Sequence, residues 1–98
     1  MSRQLIIRSA AEVELAEAFD WYEKCVPGLG SGLILSVDAT MNSIVRNPQQ
    51  YPIVYKTIRR ALTKRFPYAI LFVAETERIV VLAFFHAKRN PMNWQNRS

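Results

Sequence analysis

Residues 9–47 read SAAEVELAEAFDWYEKCVPGLGSGLILSVDATMNSIVRN, and this stretch decides the fold. It holds two apolar stripes of helical period, separated by a segment with a proline and all the chain's glycines. In the first half Ala11, Leu15, Ala18, Tyr22 and Cys25 share one face, joined by Phe19, while Glu14, Glu17 and Lys24 fall elsewhere. Cys25, on that stripe, reads as a small core residue. Ser9-Ala10-Ala11-Glu12 has the form of a capping box, with the Ser9 hydroxyl accepting the Glu12 amide N–H and the Glu12 carboxylate reaching back. Val26-Pro27-Gly28 stops this helix, because proline lacks an amide donor and glycine frees the backbone. In the second half Ile34, Val37, Met41 and Ile44 form a new stripe, which Asn47-Pro48 ends. The link from Pro27 to Gly32 is short enough that the two helices must fold back as an antiparallel hairpin.

Outside the hairpin the period changes from helical to alternating. Gln4 to Arg8 is short and β-prone and reads as a first strand. Beyond Pro52, Ile58 to Leu62 reads as a charged strand. Phe66 to Ala74 follows, with Phe66, Tyr68, Ile70 and Phe72 on one face and Ala69, Leu71 and Val73 on the other. Glu75 to Arg78 is a polar turn. Ile79 to Phe85 is apolar on both faces and belongs inside the sheet. The expected order is β-α-α-β-β-β, an α+β domain over residues 1–98 with the hairpin packed on a small, mostly antiparallel sheet. A polar tail with Pro91 and Trp94 follows His86.

Composition narrows the function classes. Half of the 98 residues are hydrophobic, which suits a packed globule. The longest apolar run, Ile79 to Phe85, falls far short of the ~20 residues a membrane helix needs. The apolar run Leu5 to Ile7 is too short for the core of a secretory signal. A single cysteine makes no internal disulfide and anchors no metal site, so neither metal nor cofactor is expected and a reducing cytoplasm fits. Charge is unevenly placed. Residues 1–45 carry six acids and three Lys/Arg, a net of −3, whereas residues 46–98 carry ten Lys/Arg and two acids, a net of +8. A basic second half points to an anionic partner, either nucleic acid or an acidic protein segment.

Four stretches in order then carry a resemblance: Trp21-Tyr22-Glu23, Pro27-Gly28-Leu29-Gly30, Arg65-Phe66-Pro67-Tyr68, and His86-Ala87-Lys88-Arg89-Asn90-Pro91 with Trp94. Asn47-Pro48 and Tyr51-Pro52 add to it. On a β-α-α-β-β-β layout the chain resembles the RelE/ParE superfamily of type II toxin–antitoxin toxins over essentially its whole length. The resemblance implies a small cytoplasmic toxin held inactive in a hetero-oligomer by a cognate antitoxin whose C-terminal segment wraps it. ParE-like members inhibit DNA gyrase by binding, with no catalysis of their own. RelE-like members cut messenger RNA on the ribosome. The motif set is closer to the ParE branch, known for plasmid stabilization, and that is the favoured reading.

Candidate residues for chemistry follow from charge and position. Lys56, Arg59, Arg60, Lys64 and Arg65 lie together with no acid among them. Such a cluster suits phosphates or an acidic antitoxin segment; the alternative is a sheet edge guarded against aggregation. RNA cleavage needs a base, an acid and cations around the phosphorane. If the chain is a nuclease, Arg65, His86 and Arg89 are its candidates by matching position. Yet no Asp or Glu lies between Pro48 and Ala74, and no tyrosine follows Arg89. Both departures weigh against the nuclease. Trp21, Lys88, Arg89 and Trp94 complete the candidate surface for antitoxin or target. Trp21 and Trp94 read either as packing residues or as exposed anchors.

Overall fold

A computed structural model describes residues 3–87. Strand β1 (Gln4–Ile7) leads into helix α1 (Ser9–Cys25), which turns into α2 (Leu29–Arg46). A 3-10 turn at Pro48–Gln50 precedes β2 (Ile53–Tyr55), β3 (Ile58–Leu62), β4 (Tyr68–Ala74) and β5 (Arg78–His86). The sheet order is β1-β5-β4-β3-β2. Only β1 and β5 run parallel, and the other three pairings are antiparallel. This is the expected α+β arrangement with one strand more than the alternation revealed. β2 has three residues, too few to show a period, and its shifted register against β3 hides it further.

That added strand changes the role of β3. It pairs with β2 on one side and β4 on the other, so the charged segment is interior and needs no guarding as an edge. The edge on this side is β2, which exposes Ile53 and Val54.

The start of α1 also departs from the capping-box reading. Ser9 is already helical, Arg8 is the N-cap, and no side chain caps the helix. The cause is continuity: the Arg8 amide still donates to Val81 at 3.0 Å while its carbonyl accepts the Glu12 amide at 3.0 Å. With strand and helix sharing Arg8, no residue is left for Ser9 to take an extended cap conformation. Cys25 is exposed rather than core, because α1 ends there and Val26 is extended.

The core forms between the hairpin and one sheet face. Leu33, Val37, Met41 and Ile44 of α2 meet Ile70, Phe72, Ile79, Val81 and Phe84 of the sheet, together with Ala11 and Ala18 of α1. On α2 Val37, Met41 and Ile44 are buried as read, while the first position of the stripe is Leu33, with Ile34 half-buried. β5 is flanked by β1 and β4 and buries side chains on both faces, as its unbroken apolar run implied. A bulge at Leu82, between the pairs Leu71–Ala83 and Phe72–Val81, reverses its alternation so that Val81 and Phe84 both face the helices.

Candidate partner-binding grooves

Two of the sequence motifs meet in one structural device. The Glu23 carboxylate accepts the amide N–H of Gly28 at 2.8 Å and of Gly30 at 3.0 Å. These are among the amides at the start of α2 that lack a partner within the helix, and a negative charge there also suits the helix dipole. Gly28 takes φ +89°, a left-handed conformation open to glycine at little cost. A β-carbon at Gly30 would lie 2.8 Å from the Phe19 carbonyl oxygen, so glycine is what lets α2 pass this close to α1. Trp-Tyr-Glu and Pro-Gly-Leu-Gly are therefore hairpin-building residues, and sequence spacing alone gave no sign that they touch.

Helix α2 and the β3 side of the sheet enclose a cationic groove of about 470 Å³. Its walls include Leu35, Leu62, Arg46, Lys64 and Arg65, with Ser36 and Ser43 between them and no acid among its described lining residues. Leu35 is 71% exposed and Leu62 55%, so the groove offers apolar anchors beside its charges. The loop before β4 is held firmly. Thr63 Oγ1 donates to the Phe66 carbonyl at 2.9 Å, Tyr68 N–H donates to the same carbonyl at 2.8 Å, and the Ser36 hydroxyl donates to the Lys64 carbonyl. Arg65 in this loop has φ +74°, unfavourable for a side chain with a Cβ. Arg46, at the end of α2, was not singled out from the sequence; only the hairpin's return over the sheet brings it to Lys64 and Arg65.

A second cavity, of about 600 Å³, opens on the other flank of the hairpin. Glu14, Glu17, Ala18, Trp21 and Tyr22 of α1 form one wall, and Tyr68, Phe84, Phe85 and His86 the other. Its rings touch in series. Tyr22 lies edge-on to Trp21 at 5.0 Å and to Tyr68 at 5.9 Å, and Tyr68 stacks on Phe84 at 4.8 Å and meets His86 at 5.3 Å.

The basic cluster read from the sequence does not form one patch. Lys64 and Arg65 join Arg46 in the cationic groove. Arg59 faces the helix side, where its Nη1 donates to the Tyr51 carbonyl at 2.6 Å. Arg60 pairs with Leu71 and points to the opposite face. Lys56 sits in the β2–β3 turn with its ammonium 5.3 Å from the Tyr55 ring centre. Of the residues a nuclease would use, Arg65 lines the cationic groove and His86 the aromatic cavity. Trp21 is 61% exposed at that cavity's mouth. Lys88, Arg89 and Trp94 lie outside the described residues. Among the described residues no group of three His, Cys, Asp or Glu side chains is placed to hold a metal, and no helix is long and apolar enough to cross a membrane.

A helical hairpin packed on a mostly antiparallel sheet is the arrangement expected from the sequence, and the structure adds a parallel β1–β5 pair to it. A chain of the solved chromosomal ParDE TA system from P. aeruginosa has the same fold, with a TM-score of 0.78 over 89% of this chain and 98% of that one. Sequence identity is 15%, so the likeness is one of fold. No protein-family model matches the chain, and no curated protein matches it.

Proposed function

We propose that the chain is the toxin of a type II toxin–antitoxin pair and acts in the ParE manner, inhibiting DNA gyrase by contact in the cytoplasm. The observation that carries this reading is the fold shared with nearly the whole of a chain from a ParDE TA system. The motif set read from the sequence, closer to the ParE branch, supports it. So does the division of the candidate nuclease residues, with Arg65 and His86 lining different cavities. In this account the chain works without catalytic residues or cofactor, and binding does the damage.

The antitoxin would neutralise it through an amphipathic, acidic segment laid in the groove between α2 and β3. Leu35 and Leu62 offer apolar contact there, while Arg46, Lys64 and Arg65 offer charge. An acidic segment gains charge-assisted hydrogen bonds and is steered towards that side by the basic half of the chain.

Inducing the chain in a bacterial culture that carries a DNA-damage reporter tests the proposal. The expected result is growth arrest with the reporter switched on and translated messages intact. Cleavage of translated messages with a silent reporter would instead identify a ribosome-dependent mRNA endonuclease, and unaffected growth would remove both toxin readings.

A further inference from the structure

We infer that the cationic groove between α2 and β3 binds the phosphate backbone of duplex DNA, in competition with the antitoxin segment. Only the competition rests on the toxin reading; the DNA contact stands or falls without it.

Three cations reach this groove by different routes. Arg46 stands in the last turn of α2. Lys64 and Arg65 stand on the loop between β3 and β4, and the Ser36 hydroxyl ties that loop to α2 through the Lys64 carbonyl. Among the described residues none of the three is paired with a carboxylate, and no carboxylate lines the groove. Uncharged donors stand beside them. Ser43 Oγ accepts from the Tyr51 hydroxyl at 3.0 Å and from Gln50 Nε2 at 3.1 Å, which leaves its own proton to be donated outward. Leu62 adds a backbone donor. The Thr63 amide next to it donates to the Tyr68 carbonyl at 3.0 Å, so the Leu62 amide points the other way, off the β4 side. The Pro52 carbonyl takes the Arg60 amide, and no described strand reaches Leu62 beyond it.

The lining selects among anions. Phosphate oxygens are met by Arg and Lys side chains, hydroxyls and backbone N–H groups together, which is the set this groove holds. A small anion would use one or two of these donors and leave the other cations repelling one another. A polyanion engages them all and releases its counterions as it binds. Bases of a single strand need ring faces to stack on. The one ring among the described lining residues, Tyr51, has its hydroxyl tied to Ser43 and meets Phe72 edge-on at 5.9 Å. A duplex keeps its bases stacked and presents its backbone. In an RNA duplex the 2′-hydroxyl seeks acceptors as well, and no carboxylate in the described lining supplies one, so DNA is the better match. The net charge of +8 on residues 46–98 draws a polyanion towards this half of the chain. An antitoxin segment meets the same cations and gains Leu35 and Leu62 as well, so it displaces the duplex.

The test needs no gyrase. The full chain is titrated into a short fluorescent DNA duplex, and anisotropy is read over a series of salt concentrations. Binding should weaken as salt rises. Arg46→Ala, Lys64→Ala and Arg65→Ala should each cost about threefold to tenfold in affinity at low salt and lower the slope of log affinity against log salt by about one. Lys64→Arg should keep the parent's slope. Arg60→Ala removes the same charge from the opposite sheet face and should change affinity less than about twofold. All four side chains are exposed, so these changes leave the fold intact. No binding at about 50 mM salt, equal losses at Arg60 and at the groove positions, or tighter binding to the single strand or to an RNA duplex of the same sequence would each overturn the inference. A bound duplex that the antitoxin fails to displace would overturn the competition. A chain that stops gyrase but ignores DNA overturns this inference alone, and one that binds DNA but spares gyrase overturns the toxin reading alone.

Discussion

Glu23 and Gly30 are matched to within an atom's width. Glu23 Oε1 accepts the Gly30 amide at 3.0 Å, and the same oxygen lies 2.9 Å from where a Gly30 β-carbon would stand. The contact closes the helical hairpin, and the Phe19 carbonyl oxygen, 2.8 Å from the same β-carbon position, forbids a side chain at its tightest point. Gly30→Ala must push α2 off α1, and the expected loss is ~1–3 kcal/mol, the usual range for overpacking. Glu23→Ala removes the acceptor from two amides and should cost ~1 kcal/mol, as loss of a helix cap does. Urea unfolding of both variants checks this. A Gly30→Ala protein as stable as the parent would mean that the helices pass each other more loosely than described.

Arg65 offers a separation of fold from function. Its φ of +74° is a conformation that costs a residue with a Cβ ~1 kcal/mol or more and costs glycine little. Arg65→Gly is expected to leave the protein as stable as before or up to ~1 kcal/mol more stable. It should nonetheless weaken partner binding, because a groove cation is gone. Thermal unfolding beside a binding measurement reads both. A marked fall in stability would show that the side chain, rather than the loop's hydrogen bonds, holds this turn.

Charge placement predicts a pattern among the arginines and lysines. Arg46→Ala, Lys64→Ala and Arg65→Ala should each weaken the complex with the antitoxin several-fold and flatten its dependence on salt. Arg60→Ala, on the opposite sheet face, should change affinity less than twofold, a shift near the noise of such measurements. The partner in this experiment is the antitoxin that the proposed function requires, to be sought in a reading frame next to the gene. Equal losses at Arg60 and Lys64 would mean that the antitoxin does not choose between the faces.

Arg59 belongs to a different class from its neighbour. Its guanidinium donates to the Tyr51 carbonyl at 2.6 Å, tying β3 to the segment that follows α2. Arg59→Ala is expected to destabilise the protein by ~1–2 kcal/mol, the range for a hydrogen bond from a charged donor. Antitoxin affinity of the folded protein should stay close to that of the parent. The denaturation midpoint and a titration at low temperature separate the two effects.

Residue patterns carried the helical hairpin and four of the five strands around it, and β5's unbroken apolar run placed it inside the sheet. The misses have local causes. Ile53–Tyr55 is too short to show alternation, so β3 passed for an edge. Ser9 has the right chemistry for a cap, but Arg8 is shared between strand and helix and displaces it. The Leu82 bulge reverses alternation without a glycine or proline to announce it. At the candidate sites, Lys64 and Arg65 were visible as charge. Arg46 and the ring series of Trp21, Tyr22, Tyr68 and Phe84 were not, because tertiary folding alone brings them together.

Gyrase inhibition by contact, as proposed, can be measured with purified components. The full chain is added to gyrase, ATP and relaxed plasmid, and the DNA products are separated on a gel. The account predicts loss of supercoiling, with cleaved plasmid accumulating as the chain approaches equimolar amounts with the enzyme, and relief when the antitoxin is added first. Undiminished supercoiling at a large molar excess of the chain would contradict it.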